Sequence, residues 1–393
     1  MNNKTVFFFS LLITGNMVGA GILAMPIVAG IAGFYPSLFA IFFFCISMLY
    51  TGFILVREIN DARENNFNLP SLYEKHFGVN GKWLTSIANI VIFYGVLTSY
   101  LAGSTKLVMI MFNIDLSFEP LILLIIFILF TTLAISSITI IEKYNTFFMF
   151  ILILSFSLLI GFGVPEIESD RLFSVDWQFL PIALPMIIAG FVFHYVLPSL
   201  CKASSWSKQM YKPILIGMGI TLVMNIVWLI VGVGVVPKFG TISLDAARLA
   251  GVPVTVEMSK ILSSELFLII ASIFAIVAIT TSYISIGMAL KDFLKDLFEN
   301  SFRIKNKYLI FLVAFIPPLI ISYLYADIFL KALSFVGGIG VVILFGILPS
   351  IIAYKRDASK SSRAIAMLFF IVFCATLVIT LLQTLGIIDI NPS

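Results

Sequence analysis

A run of about 20 uncharged, mostly apolar residues recurs along this chain from one end to the other, and each run is long enough to cross a bilayer as a helix. A soluble domain could not carry so many, because its surface needs charge. The composition agrees: 61% of the 393 residues are apolar and 11% are charged, against about a quarter charged in soluble domains. A mean hydropathy of +1.11 excludes disorder, and no heptad pattern is sustained. Strands that span a membrane are about ten residues of alternating character, whereas these runs are continuous and longer. The sequence predicts an all-α integral membrane protein.

Charged and turn-rich breaks divide the chain into about eleven spans. They fall near residues 6–31, 34–56, 83–112, 120–140, 145–164, 181–201, 213–236, 265–290, 308–326, 329–353 and 364–386. Residues 1–393 read as one transmembrane domain, with a first repeat over 5–164, a second over 180–354 and an extra helix over 364–386. The start resembles a signal peptide, but its apolar run exceeds the usual length and its glycines sit mid-span, so it is expected to remain as span 1. Lysine and arginine set the orientation. With the N-terminus cytoplasmic, 18 of the 24 basic residues, Arg63, Lys143 and Lys208 among them, fall on the inner side. The exceptions are Lys106, Arg171, Lys238, Arg248, Lys260 and Lys331. The C-terminus is then on the outer side of the membrane.

Two excursions are long enough to hold structure, 57–82 inside and 237–264 outside, the second reading as short amphipathic helices over the membrane face. The net charge of +4 is scattered, without a basic stripe, so no nucleic acid is expected as a partner. Cys45, Cys201 and Cys374 show neither metal spacing nor a disulfide framework. No metal, organic cofactor or obligate protein partner is expected.

Two spans are interrupted. Span 1 contains Gly15-Asn-Met-Val-Gly-Ala-Gly-Ile-Leu-Ala-Met-Pro26, and span 6 contains Gly190-Phe-Val-Phe-His-Tyr-Val-Leu-Pro198. Glycine and proline at mid-bilayer weaken a helix and free backbone groups that hydrocarbon cannot satisfy. A lone cluster would suit close helix packing. Paired clusters at corresponding places in two five-span halves point to a transporter binding site. Such a site suits a zwitterion. Free N–H groups near Gly19–Gly21, at the positive end of a half-helix, can hold a carboxylate, and carbonyls near Phe191–Phe193 can accept from an ammonium.

Gly19-Ala-Gly-Ile-Leu-Ala-Met-Pro26 and Phe193-His-Tyr-Val-Leu-Pro-Ser199 resemble the first-span and sixth-span motifs of the hydroxy and aromatic amino-acid permease family, in particular its tyrosine-permease branch, within the amino acid–polyamine–organocation superfamily. Further matches are Tyr94, Tyr100, Thr281-Ser282, Asp292 to Phe298, Pro317-Pro318 and Pro349-Ser350, in order along essentially the whole chain. The resemblance implies an eleven-span permease of the LeuT-type 5+5 inverted-repeat fold, taking up an amino acid from outside by cation symport, usually with protons. It implies that Gly19, Ala20 and Gly21 bind the substrate carboxylate and that Phe191 and Phe193 face its amino group. Two positions depart from the pattern: Tyr195 stands where the family usually has glycine, and Asn16 replaces a small hydroxyl residue.

No acid lies inside a span away from its ends, and the embedded ionisable groups are Lys106 and His194. Lys106 is expected to snorkel to the outer surface. His194 can relay a proton, hydrogen-bond a substrate hydroxyl, or brace the unwound backbone as neutral imidazole. Thr281 and Ser282, with carbonyls around Gly15 and Val18, resemble the place where LeuT-type relatives bind Na⁺, though such hydroxyls also bond to their own helix. Proton and Na⁺ coupling both stay open. Tyr94 and Tyr100 can gate the cavity, stack on a ring substrate, or simply pack; Phe193 adjoins the break and is the better gate.

Other classes fit less well. His76 and His194 are the only histidines, and HExxH, GxSxG and an intramembrane acid pair are absent from the sequence, so an enzyme is not expected. A channel-like facilitator would favour a repeated pore loop or a charged ring. Within transporters, the alternative substrate class is serine, threonine or broad neutral amino acids.

Overall fold

The computed structural model describes residues 3–62, 68–136, 138–204, 210–325 and 328–388. Arg63 and Lys208 lie outside the described residues, as do the side chains of residues 138–145, Lys143 included, and those of Ala20 and Asn300. Among the described residues ten helices are long and apolar enough to cross a membrane, or eleven if α1 (Asn3–Met17) and α2 (Ala20–Ala32), which meet at a 52° bend, count as one span. Among the described residues there is no strand, only an isolated bridge between Gly33 and Val175.

The next two helices run past their expected ends. α3 covers Phe34–Ala62 and α4 covers Leu69–Phe112, so most of the inner excursion is helical. Asn68 starts α4 by accepting from the Leu69 N–H at 2.8 Å, with Pro70 in the first turn. Gly78, at φ +69°, supplies the kink that lets the short first segment turn into the span. Then follow α5 (Glu119–Ile135), α6 (Ile138–Gly163), α7 (Leu180–Ala189), α8 (Leu197–Ala203) and α9 (Tyr211–Val235). The outer excursion does hold two short helices, α10 (Leu244–Ala250) and α11 (Val254–Leu262). Ser243 caps α10 by accepting from the Ala246 N–H at 3.0 Å, and Leu244 is buried against α2 beside Gly30.

The chain ends with α12 (Glu265–Ser301), α13 (Lys307–Leu324), α14 (Phe329–Phe335), α15 (Leu348–Arg356) and α16 (Lys360–Thr384). Between α14 and α15, Val336–Ile347 forms a π-helical stretch, a wider coil that often marks functional sites. It includes Gly337, where a Cβ would lie 2.1 Å from the Pro185 carbonyl oxygen, so the span lies directly against α7.

Burial sorts the spans into an inner and an outer set. The span holding α7 and α8 and the span from Phe329 to Arg356 are each 72% buried over their most apolar window, whereas α13 and α16 are 28% buried. The outer set therefore turns apolar side chains toward lipid, and the inner set holds the interrupted helices. One more contact positions them: the Asp176 N–H donates to the Ala32 carbonyl at 2.9 Å, beside the Gly33–Val175 bridge. This ties the end of α2 to the segment that leads into α7.

Candidate functional site

The break in span 1 is short. The Val18 N–H still bonds to the Thr14 carbonyl at 2.8 Å, α1 ends at Met17, and α2 begins at Ala20 after Gly19. A Cβ on Gly19 would lie 2.5 Å from Ser282 Oγ and 2.6 Å from Tyr100 Oη, so only glycine lets the backbone come this close to α12 and α4. The Gly15 carbonyl, released from the helical ladder, accepts from Ser282 Oγ at 3.0 Å.

The break in span 6 is longer. After α7, the Phe191 N–H donates to Ile188 at 3.1 Å, a 3₁₀ turn covers His194–Val196, and α8 restarts with Pro198 in its first turn. The Val192 carbonyl faces span 1 and accepts from Asn16 Nδ2 at 3.2 Å. Asn16 Oδ1 in turn accepts from Tyr195 Oη at 2.7 Å. Gly21 and Gly190 meet at the crossing, where a Cβ on Gly21 would stand 3.5 Å from the Gly190 Cα.

Between the two breaks lies a cavity of about 30 Å³, roughly the room of a water molecule. Asn16, Met17, Gly21, Tyr100, Val192 and Tyr195 line it, together with aliphatic residues that include Ile92, Val96, Leu333 and Val336. Of the residues expected at the site, Asn16, Gly21 and Tyr195 therefore meet around one space. Gly19 lies beside Tyr100, which lines the space, Gly15 is bonded to Ser282, and Val18 is fully buried. Thr281 bonds to its own helix at Ala278, 3.0 Å away, while Ser282 reaches across to span 1.

Tyr94, Phe191, Phe193 and His194, also expected at the site, are not among the residues that line this cavity. Tyr94 donates to the Val313 carbonyl on α13 and lines a separate cavity of about 1210 Å³ among α4, α7, α13, α14 and α16. Positions 94 and 100 point about 120° apart around a helix, so one narrow face cannot carry both. Phe191 is fully buried. Phe193 packs into α3, where a Cβ on Gly52 would meet its Cζ at 2.4 Å. His194 turns the same way: its Nε2 lies 3.0 Å from Thr51 Oγ1, and its ring sits between Phe193 at 4.5 Å and Phe345 at 5.0 Å between centroids. The Thr51 hydroxyl also lies 3.1 Å from the Met48 carbonyl. The direction of the Thr51–Nε2 hydrogen bond follows the ring's tautomer, and Nδ1 has no hydrogen-bond partner among the described residues. Lys106 donates to the Ala250 carbonyl at 3.0 Å, at the end of α10.

The Val192 carbonyl falls inside the Phe191–Phe193 stretch whose carbonyls the sequence singled out, although Val192 itself carried no separate signal. The aliphatic lining residues carry no signal, because their helices are apolar on every side. Among the described residues no group of three or more His, Cys, Asp or Glu could hold a metal ion.

Interrupted spans that turn backbone polar groups toward one buried space are how membrane carriers build a solute site, and carrier is the class this arrangement defines. Comparison with known proteins narrows it: the chain belongs to the tryptophan/tyrosine permease family, whose profile matches residues 2–391. It is 27% identical to Tyrosine-specific transport system 1 of Haemophilus influenzae, across 98% of this chain and 95% of the relative. It is 26% identical to Glutamine transporter 2 of Aliivibrio fischeri, across 87% and 86%, and 25% identical to the Tryptophan-specific transport protein of Shigella flexneri, across 90% and 87%. The protein is a multi-pass integral membrane transporter and not an enzyme.

Proposed function

We propose that the protein takes up tyrosine or another aromatic amino acid across a bacterial inner membrane, by alternating access driven by a cation gradient. The observation that carries this reading is the pair of breaks around one small cavity, together with relatives named for tyrosine and tryptophan transport. The interruptions fall in spans 1 and 6, which supports two inverted five-span repeats followed by α16 as an extra helix. Lysine and arginine sidedness supports a cytoplasmic N-terminus, with α10 and α11 outside. The substrate carboxylate docks at the N–H end of α2, around Gly19 to Gly21, where the helix dipole is positive. The ammonium takes the Val192 carbonyl, and the side chain extends toward Ile92, Val96 and Val336. Protons couple through His194, whose ring can take one up. Na⁺ at the Gly15 carbonyl and Ser282 is the alternative cation site.

A second reading, a broad neutral amino-acid symporter, has one observation in its favour: the likeness to Glutamine transporter 2 extends over most of both chains. One experiment separates them. Labelled tyrosine is offered to proteoliposomes with an inward proton gradient in Na⁺-free buffer, against unlabelled tryptophan, phenylalanine, glutamine and serine. Accumulation that collapses with an uncoupler, and that excess phenylalanine but not glutamine or serine blocks, is the expected result. Block by glutamine and serine selects the second reading. Uptake that appears only with Na⁺ moves the coupling to Ser282, and equilibration without accumulation makes the protein a facilitator.

A further inference from the structure

The small cavity is filled by the protein's own polar groups, and these are the two residues at which the chain departs from the permease motifs. Asn16 Nδ2 occupies the Val192 carbonyl at 3.2 Å, and Tyr195 Oη occupies the Asn16 carbonyl oxygen at 2.7 Å. Both side chains are buried, at 4% and 6% exposure, and both line the space of about 30 Å³. An amino acid needs several times that volume, so it enters only by displacing what is there. The amide N–H on Val192 stands where an ammonium would bind.

The tyrosine is less free to leave than the asparagine. Its ring is held edge-on by Phe93, with centroids 5.9 Å apart and planes at 79°, and on another side by Phe345 at 6.4 Å. When Asn16 gives way, the Tyr195 hydroxyl therefore stays beside the cavity with its acceptor gone. A buried donor left unpaired is costly, and a ligand that brings its own acceptor removes that cost. A site of this kind rejects analogues that lack the matching oxygen far more strongly than a purely apolar pocket does.

We infer that Tyr195 and Asn16 form an internal plug which selects amino acids whose side chain ends in a phenolic oxygen over phenylalanine and the bulkier indole. Asn16 is the resident stand-in for the ammonium, and Tyr195 is the specificity residue that hydrogen-bonds the substrate's terminal oxygen. The inference rests on the broken-helix cavity being the substrate site, as proposed above.

The test is competition for labelled-tyrosine uptake by the purified full-length protein in proteoliposomes. In the wild type, phenylalanine should compete roughly tenfold or more weakly than tyrosine. In Tyr195→Phe that ratio should fall toward one while uptake stays measurable, and in Tyr195→Gly tryptophan should become a competitor. Asn16→Ser should lower the KM for tyrosine about fivefold, because the Val192 carbonyl loses its resident donor. It also carries the test if a Tyr195 variant does not elute as a single species. Ratios unchanged in both Tyr195 variants, or an unchanged or raised KM in Asn16→Ser, would overturn the inference.

A separate variant checks the reading beneath it. Val96→Trp fills the cavity from α4 and should abolish tyrosine uptake. Wild-type KM in that variant removes the cavity as the substrate site. Lost uptake there, with unchanged ratios in Tyr195→Phe, sinks the plug alone.

Discussion

The two interruptions solve the same problem in opposite ways. In span 1 the freed backbone is held by closeness: Gly19 has no room for a side chain, and Ser282 reaches directly to the Gly15 carbonyl. In span 6 the freed backbone is held by bulk: Phe193, His194 and Tyr195 wedge among Phe93, Phe345, Gly52 and Thr51. The difference teaches which break can absorb change. A break held by backbone contact has no spare volume, whereas side chains around a longer break can repack.

The sharpest trial of that contrast is the pair Gly19→Ala and Gly190→Ala. A Cβ on Gly19 would strike Ser282 Oγ at 2.5 Å and Tyr100 Oη at 2.6 Å, while one on Gly190 would first meet the flexible end of Met25, at 2.9 Å. Gly19→Ala should lower the initial uptake rate by about a hundredfold, the effect of misplacing binding groups by an ångström. Gly190→Ala should retain most of the rate at matched expression. Equal inactivation by both would erase the distinction.

Ser282→Ala comes next. It leaves the Gly15 carbonyl without its donor, which costs about 1–3 kcal/mol when the group stays buried. A lower unfolding temperature in detergent and a reduced uptake rate are expected, and an unchanged melting curve would mean that closeness alone holds span 1. Thr51→Val removes the partner of His194 Nε2 on the bulky side. Because stacking remains, the expected loss is about 0.6 kcal/mol, the average for a hydrogen bond between membrane helices. A larger loss would show that the hydrogen bond, not the packing, supports span 6.

The smallest effect should come from Tyr94→Phe. It deletes the bond to Val313 on the far side of α4, so KM for tyrosine should not change and stability should fall by no more than about 0.6 kcal/mol. A several-fold change in KM would connect the larger cavity to transport.

Membrane crossing, the positions of both breaks and the two short helices of residues 237–264 were legible in the sequence, because each depends on local chemistry. Long apolar runs fix spans, Gly and Pro mark where a helix fails, and Ser243 caps α10. The direction of each side chain at the breaks was not legible. Periodicity names a face only while a helix continues, and Phe191, Phe193 and His194 sit where it does not. The side to which Tyr94 points was hidden for a different reason: α4 is apolar around most of its circumference, so no polar stripe says which side faces the centre. The π-helical coil of Val336–Ile347 hides its face further, since its residues do not follow the α-helical spacing.

The short tie between Ala32 and Asp176, with its bridge from Gly33 to Val175, has a mechanical consequence. It fastens the halves of the two broken spans, α2 and α7, to each other at one end while their glycines touch at the other. These two pieces then travel as a single lever, and bending is left to residues 17–19 and 190–193. Spin labels placed one on each helix would keep a constant separation throughout the transport cycle. Labels placed on α1 and α2 would instead register the cycle as a change in the 52° angle between them.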